Sequence, residues 1–200
     1  GGNPLNENDF ILTLISVHDE AQRAKIEAFC KDATIPTTGR TSFNQLFEPK
    51  PSHIIRVVMA YGFKRARLKY AYMLLRGKDM KTGEYLPSIR DQKFAELSAR
   101  LDEVLDLTNW HSFLNCVLGA GYYSSSLISS NNAIVYSYVM YLIGRYDFQM
   151  SHFALSKAIA RWFYMASVSS YYTTSYETTV QRDLNEIEQL HTEAEYLEYL

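Results

Sequence analysis

Apolar residues recur along most of the chain at the spacing of one helical face, and they predict an all-α protein. Residues 131–144 are apolar nearly all round, which predicts a central helix enclosed by others. No alternating strand pattern stands out, so the expected fold is an irregular bundle of about eight helices. The clearest stripe predicts one helix over 52–76, and its core residues are Ile54, Val57, Tyr61, Leu68, Tyr72 and Leu75.

Capping residues place the ends of several helices. Asn6 is predicted to begin the first helix as its N-cap, and Ser151 to begin a long late helix. Thr174 and Glu177 match the T-x-x-E pattern of a capping box, which predicts a further helix directly after them. Phe10, Leu14 and Val17 are predicted to share one face of the first helix.

The chain length and the positions of proline and glycine indicate one helical domain over residues 6–200. A chain of 200 residues suits a single core. Proline and glycine residues between positions 34 and 51 predict a long loop there. The domain is expected to end in acidic helices over 175–200.

Composition narrows the class of protein further. A hydrophobic content of 47% argues against disorder, and the 16 tyrosines predict a core crossed by hydroxyl hydrogen bonds. Cys30 and Cys116 lack metal-ligand spacing and are expected to be thiols, which fits the cytoplasm. The longest apolar run, 133–143, is too short to span a bilayer, so no membrane association is predicted.

The formal net charge of −2 conceals an uneven distribution. Residues 56–81 hold eight Lys/Arg and one acid, whereas residues 177–200 hold seven Asp/Glu and one Arg. Clustered cations can neutralise the phosphates of a nucleic acid, but they can also cover apolar surface or pair with the acidic helices. Both possibilities stay open for the candidate backbone contacts, which are Arg56, Lys64, Arg65, Arg67, Lys69, Arg76 and Lys78.

General catalytic motifs are missing from the sequence. It contains no G-x-S-x-G, P-loop, G-x-G-x-x-G or H-E-x-x-H pattern, and its five histidines are scattered singly. We therefore predict no catalytic residue, no metal ligand and no cofactor site in this chain.

Short stretches of the chain, in a fixed order and spacing, resemble one protein family. They are GGNPL (1–5), NDFILTL (8–14), ARLKYAY (66–72), LLRGKD (74–79), LTNWH (107–111), ISSNNA (128–133), YLIG (141–144) and RWF (161–163). Together they look like the helical middle region of the GmrSD-type restriction endonuclease family, over residues 1 to about 190. These are bacterial anti-phage proteins that cleave DNA containing modified cytosines.

The resemblance implies modules beyond this domain. In the family, the stretch matching residues 1–5 ends an R-I-N-x-G-G-x-P-L motif of an N-terminal ParB-like domain with nucleotide-dependent nuclease function. Many members also carry an H-N-H nuclease whose histidine-rich motif binds a divalent metal. Only the tail of the first motif occurs here, so the chain is expected to be non-catalytic, while its parent protein uses a nucleotide and a metal. Tyr171 also stands where the family has an arginine, which weakens any anion contact at that turn.

Three hypotheses follow for the function of the chain. The first is a cytoplasmic scaffold that positions the backbone of double-stranded DNA for flanking nuclease domains. The alternative is a protein–protein interaction module that docks neighbouring domains or a sister subunit, as in a homo-oligomer. A third is a small-molecule pocket in the tyrosine-rich core. Cations covered by the acidic helices would favour the second hypothesis, and cations on an open surface would favour the first.

Overall fold

The computed structural model describes residues 7–33, 46–78 and 82–200. The predictions for residues 1–5 and for the Asn6 cap, together with most of the 34–51 loop, lie outside these ranges. Ten α-helices form in the described part: α1 (Glu7–His18), α2 (Glu20–Asp32), α3 (Pro51–Phe63), α4 (Leu68–Leu75), α5 (Pro87–Val104), α6 (Leu107–Gly119), α7 (Asn131–Leu142), α8 (His152–Val168), α9 (Tyr176–Ile187) and α10 (Glu193–Tyr199).

Helix α7 lies at the centre of the bundle, as its sequence predicts. Every side chain from position 133 to 142 is buried, and α3, α6 and α8 pack around the helix. Two of its tyrosines bond through their hydroxyls: Tyr138 donates to the Val104 carbonyl at 2.8 Å, and Tyr141 accepts from Arg145 at 3.2 Å. The predicted all-α irregular bundle is therefore confirmed, and within the described residues the only β pairing is an isolated bridge between Lys78 and Tyr85.

The single helix predicted over 52–76 is wrong, because the chain turns between α3 and α4. Lys64 takes a left-handed backbone conformation with φ 53° and ends α3. The apolar stripe is still buried on both sides of the turn, with Ile54 and Tyr61 in α3 and Leu68 in α4 almost inaccessible to solvent. Two short helices thus fold back on the same core that one long helix was expected to line.

The predicted face of α1 is not its buried side. The buried residues are Ile11 and Ile15, whereas Val17 is 82% exposed and Phe10 is 40% exposed. At α9 the Thr174–Glu177 capping box does not form; Ser175 occupies the N-cap position with φ 50° and makes no side-chain cap. The predicted Ser151 cap is confirmed, since its hydroxyl accepts from the Ala154 amide at 3.3 Å.

The chain after α7 winds into a π-helical turn, Ile143–Asp147, on which the C-terminal helix rests. Tyr196 of α10 stacks on Phe148 with ring centroids 4.4 Å apart, and its hydroxyl donates to the Met140 carbonyl at 2.7 Å. The last helix is therefore part of the core. None of the helices in the described ranges has the length and apolar character needed to cross a membrane.

Candidate nucleic-acid interface

Lys64 and Arg65 lie in the turn between α3 and α4, and their side chains hydrogen-bond to groups of the chain itself. The Lys64 ammonium group donates to the Tyr61 carbonyl and to Asp147 Oδ2, both at 2.7 Å, and its side chain is only 17% exposed. Arg65 donates to the Lys64 carbonyl at 2.9 Å. These two cations thus stabilise a chain reversal, and Lys64 is not presented to an external anion.

A polar cluster surrounds the Lys64–Asp147 pair. Arg100 donates to the Tyr61 hydroxyl at 2.7 Å and lies 3.2 Å from Glu103 and 3.6 Å from Asp147. The Tyr61 hydroxyl in turn donates to Glu103 at 2.6 Å, and burial together with this bond raises the pKa of Tyr61. Two cations and two carboxylates balance here, so the cluster has no net charge to attract a polyanion.

Arg56 is likewise committed to a partner within the chain. It lies 3.2 Å from Glu177 Oε1 and sits over the Tyr176 ring at 5.3 Å from the centroid. The side chains of Arg56 and Glu177 are 18% and 34% exposed, which places the pair partly inside the protein. Glu177 belongs to the acidic C-terminal helices. An acidic helix therefore covers Arg56, as the protein–protein interaction hypothesis expects.

Replacing Arg56 by glutamine is expected to lower the free energy of unfolding by about 1–2 kcal/mol, since it removes a partly buried charged hydrogen bond between α3 and α9. Urea denaturation followed by far-UV circular dichroism measures the change. Arg23→Gln, in an exposed ion pair with Glu27, is the control and should change stability by less than about 0.5 kcal/mol. Equal losses for the two variants would contradict this role of Arg56.

Helix α4 and the turn after it carry cations of a different kind. Lys69 and Arg76 are exposed and seven residues apart, so they share one face of the helix about 10 Å apart along its axis. Arg76 and Lys78 both lie over the half-exposed Tyr85 ring, at 5.2 and 5.9 Å from its centroid. We call Lys69, Arg76 and Lys78 the cationic strip.

Tyrosine rings hold the cationic strip in place. Lys69 lies 5.2 Å from the Tyr70 ring, and Arg76 also contacts Tyr72, whose hydroxyl accepts its hydrogen bond at 3.0 Å. An aromatic ring attracts a cation through its electron-rich face but does not neutralise it. No carboxylate of the described residues forms an ion pair with the strip or with the exposed Arg67, which lies on the opposite flank of α4.

The seven residues predicted from the sequence thus fall into two groups. Arg56 and Lys64 bond to distant parts of the chain and Arg65 bonds to the neighbouring Lys64 carbonyl, whereas the other four have no ion pair among the described residues. Of these four, Arg67, Lys69 and Arg76 are exposed and Lys78 is half-buried. Sequence reasoning missed Arg100 and Asp147, which complete the Lys64 cluster. Local sequence does not place either residue in the cluster, because Tyr61 is 39 residues from Arg100 and Lys64 is 83 residues from Asp147.

The two thiols and the histidines are isolated from one another in the described part. Burial raises the pKa of Cys30 to about 12 and that of Cys116 to about 11, so both are protonated at neutral pH. The pKa of His53 is lowered by burial and by the neighbouring Lys50 and Arg56. Among the described residues, no three His, Cys, Asp or Glu side chains are grouped to hold a metal ion.

Comparison of the chain with protein-family models, with curated proteins and with solved structures found no match. The fold and its candidate site therefore define only a class, a helical bundle with an exposed, tyrosine-backed cationic surface on one short helix.

Proposed function

We propose that this chain is a non-catalytic helical domain that positions the backbone of double-stranded DNA. The observation that carries the proposal is the cationic strip, in which three positive side chains stand on one surface without a described carboxylate partner. Rigid Lys and Arg side chains neutralise phosphates and release counterions, which gives affinity without reading the base sequence. The tyrosines behind them limit the side-chain entropy that is lost on binding.

The resemblance to the GmrSD-type family suggests the wider setting of this role. In that setting the domain belongs to a bacterial, cytoplasmic, modification-dependent restriction nuclease, and it holds duplex DNA while flanking nuclease modules cut it. The parent protein then supplies the nucleotide and the divalent metal. The purified chain is accordingly expected to leave DNA intact in the presence of magnesium and ATP, and cleavage by the chain alone would contradict the non-catalytic role.

DNA binding by the strip can be measured by fluorescence anisotropy with a labelled duplex at roughly 50 and 200 mM salt. We expect salt-sensitive binding by the unaltered chain. The double variant Lys69→Glu/Arg76→Glu should raise Kd at least about tenfold and flatten the salt slope by roughly two, because two phosphate contacts are lost. Both residues are exposed at the surface, so the fold should be unchanged.

The control for this experiment reverses two cations elsewhere. Lys25→Glu/Lys31→Glu changes the formal charge by the same amount on exposed positions of α2. It should change Kd by less than about threefold, which is the effect of net charge alone. Equal weakening by both double variants, or no binding by the unaltered chain at the lower salt, would overturn the DNA role.

A protein–protein interaction module is the second candidate function, and a separate observation favours it. Helix α8 presents several large apolar side chains to solvent, among them Phe153 at 71% exposure and Val168 at 64%. Contiguous exposed apolar surface is typical of a binding face. This surface does not include the cationic strip, so the two functions can be tested separately.

A further inference from the structure

The outer face of α8 carries large apolar side chains where a solvated helix would be polar. At 100° per residue, Phe153, Lys157, Tyr164 and Val168 fall within about 60° of one another, opposite the buried inner face. Tyr164 is 49% exposed and Met165, at the edge of this face, is 58% exposed. The helix therefore buries one apolar face in the core and leaves a second one uncovered.

A groove runs beside this face, between α8 and α10. It has a volume of about 660 Å³ and is floored by short side chains, Ala154 and Ala158 from α8 and Ala194 from α10. Leu197, which is 39% exposed, lies in it as well. Alanines let another backbone approach closely, so the groove can accept a helix or the edge of one.

Charges of both signs border the groove, and none of them has an ion-pair partner among the described residues. Lys157 and Arg161 stand on the α8 side and Glu198 on the α10 side. Lys157 lies over the Phe153 ring at 4.5 Å from its centroid, and Arg161 donates only to the Leu197 carbonyl at 3.4 Å. None of these three charged groups forms an ion pair in the described structure.

We propose that the α8–α10 face binds a second copy of itself across a two-fold axis. In such a pair, any contact from one copy to the other occurs twice, with the roles exchanged. The apolar side chains Phe153, Tyr164 and Val168 of the two copies cover one another along α8. Lys157 and Arg161 of each copy then face Glu198 of the other copy, so every unpaired charge of the face gains an opposite charge.

The mixture of charges favours a second copy over an unrelated partner. An acidic helix from another protein would satisfy Lys157 and Arg161 but would place like charge beside Glu198, which is unfavourable. A basic helix would satisfy Glu198 but would place like charge beside Lys157 and Arg161. A surface that carries both signs complements this face better, and the face itself carries both signs.

Sedimentation velocity of the 200-residue chain over a concentration series tests the proposal. The expected Kd of the dimer is below roughly 100 µM. Val168→Asp should raise the dimer Kd at least about tenfold, since it buries a charge against apolar side chains. The matched control is Val17→Asp on α1, where the valine is 82% exposed and α1 packs on α2, α3 and α4; its Kd should stay within about twofold. A chain that stays monomeric, or equal effects of the two aspartates, overturns the proposal.

Charge exchange gives a second test that does not depend on loss of binding. Lys157→Glu/Arg161→Glu and Glu198→Lys each place like charges against each other in a homodimer, so each variant alone should be mostly monomeric. Mixing the two variants should restore a heterodimer, because both charge contacts then become attractive. Failure of the mixture to associate overturns the two-fold arrangement, and Lys69→Glu/Arg76→Glu should leave the dimer intact.

Discussion

Replacing Gly144 by alanine is expected to lower the free energy of unfolding by about 3 kcal/mol, which is at the upper end for overpacking a core. A Cβ atom at this position would lie 2.6 Å from Leu155 Cδ1, 3.1 Å from Tyr196 Cε1 and 3.2 Å from Met150 Sδ. Three neighbours from different parts of the chain close on the same spot. None can retreat without disturbing its own packing.

The position of Gly144 explains the expected size of this effect. It lies in the π-helical turn on which α8 and α10 both rest. Tyr196 is held there by its stacking on Phe148 and by its hydrogen bond to the Met140 carbonyl, so displacing its ring would weaken both contacts. Glycine therefore allows the C-terminal helix to approach the central helix closely.

Urea denaturation followed by tryptophan fluorescence measures the loss, and Gly119→Ala is the matched control. Gly119 is also helical, but a Cβ atom there would have no neighbour within 4 Å. Alanine is the better helix former, so the control should be neutral or more stable by up to about 1 kcal/mol. If Gly144→Ala is no more destabilising than Gly119→Ala, the close approach does not limit stability.

Helices whose apolar pattern dominates their environment could be predicted from the sequence. Residues 131–144 are apolar on all sides, and only the centre of a bundle satisfies such a segment. Asp19 and Ser151 cap their helices through local hydrogen bonds that a short stretch of sequence contains in full. Fold class follows from features of this kind.

The break at Lys64 could not be predicted in this way. Gly62 is still helical, the residues Phe63 to Arg67 contain no proline or glycine, and the apolar stripe continues in phase across the break. The left-handed turn is stabilised by Asp147, which is 83 residues away, and by the amide of Gln181, which accepts from the Ala66 backbone at 3.0 Å. Long-range contacts of this kind override local helix propensity.

The candidate site, like the fold, could be predicted only in part from the sequence. The sequence reveals how many cations lie between 56 and 81, but it cannot tell which of them meet a carboxylate. Arg56 pairs with Glu177 across 121 residues, while Arg76, with the same side chain, faces solvent beside tyrosines. Local spacing did place Lys69 and Arg76 on one side of a helix, because they belong to the same short segment.

Asp183 is the second position at which a single change should have a large effect. Its carboxylate is fully buried, with Oδ1 accepting from the Tyr171 hydroxyl at 2.9 Å and Oδ2 from the Tyr172 hydroxyl at 3.2 Å. Arg182 lies 3.4 Å away and balances the charge. The Tyr171 hydroxyl thus bonds within the fold, since it also accepts from Arg182 at 2.6 Å.

Asp183→Leu is expected to lower the free energy of unfolding by about 3 kcal/mol, because it leaves the buried Tyr172 hydroxyl without its acceptor. Asp183→Asn keeps an acceptor oxygen and should lose about half as much. Urea denaturation of the two variants beside the unaltered chain gives both values. A leucine variant as stable as the asparagine variant would contradict the importance of the hydroxyl contacts.

The pH dependence of these variants has a definite sign. Burial raises the pKa of Asp183 above its ordinary value of 3.8 despite the tyrosine and arginine contacts. The native state therefore holds the proton more tightly than the unfolded chain, and this contribution to stability is present below pH 3.8 and lost as pH rises through the folded pKa. The stability difference between the unaltered chain and Asp183→Asn should accordingly shrink as pH rises.

Glu195 provides a comparison of opposite sign. Hydrogen bonds from the His191 amide and from Thr192 lower the pKa of Glu195 below 4.5. Its contribution to stability is present above pH 4.5 and lost as pH falls through the folded pKa, so the difference between the unaltered chain and Glu195→Gln should grow as pH rises. Urea denaturation on both sides of pH 4 measures the two trends. Parallel trends for the two variants would mean that burial does not raise the pKa of Asp183.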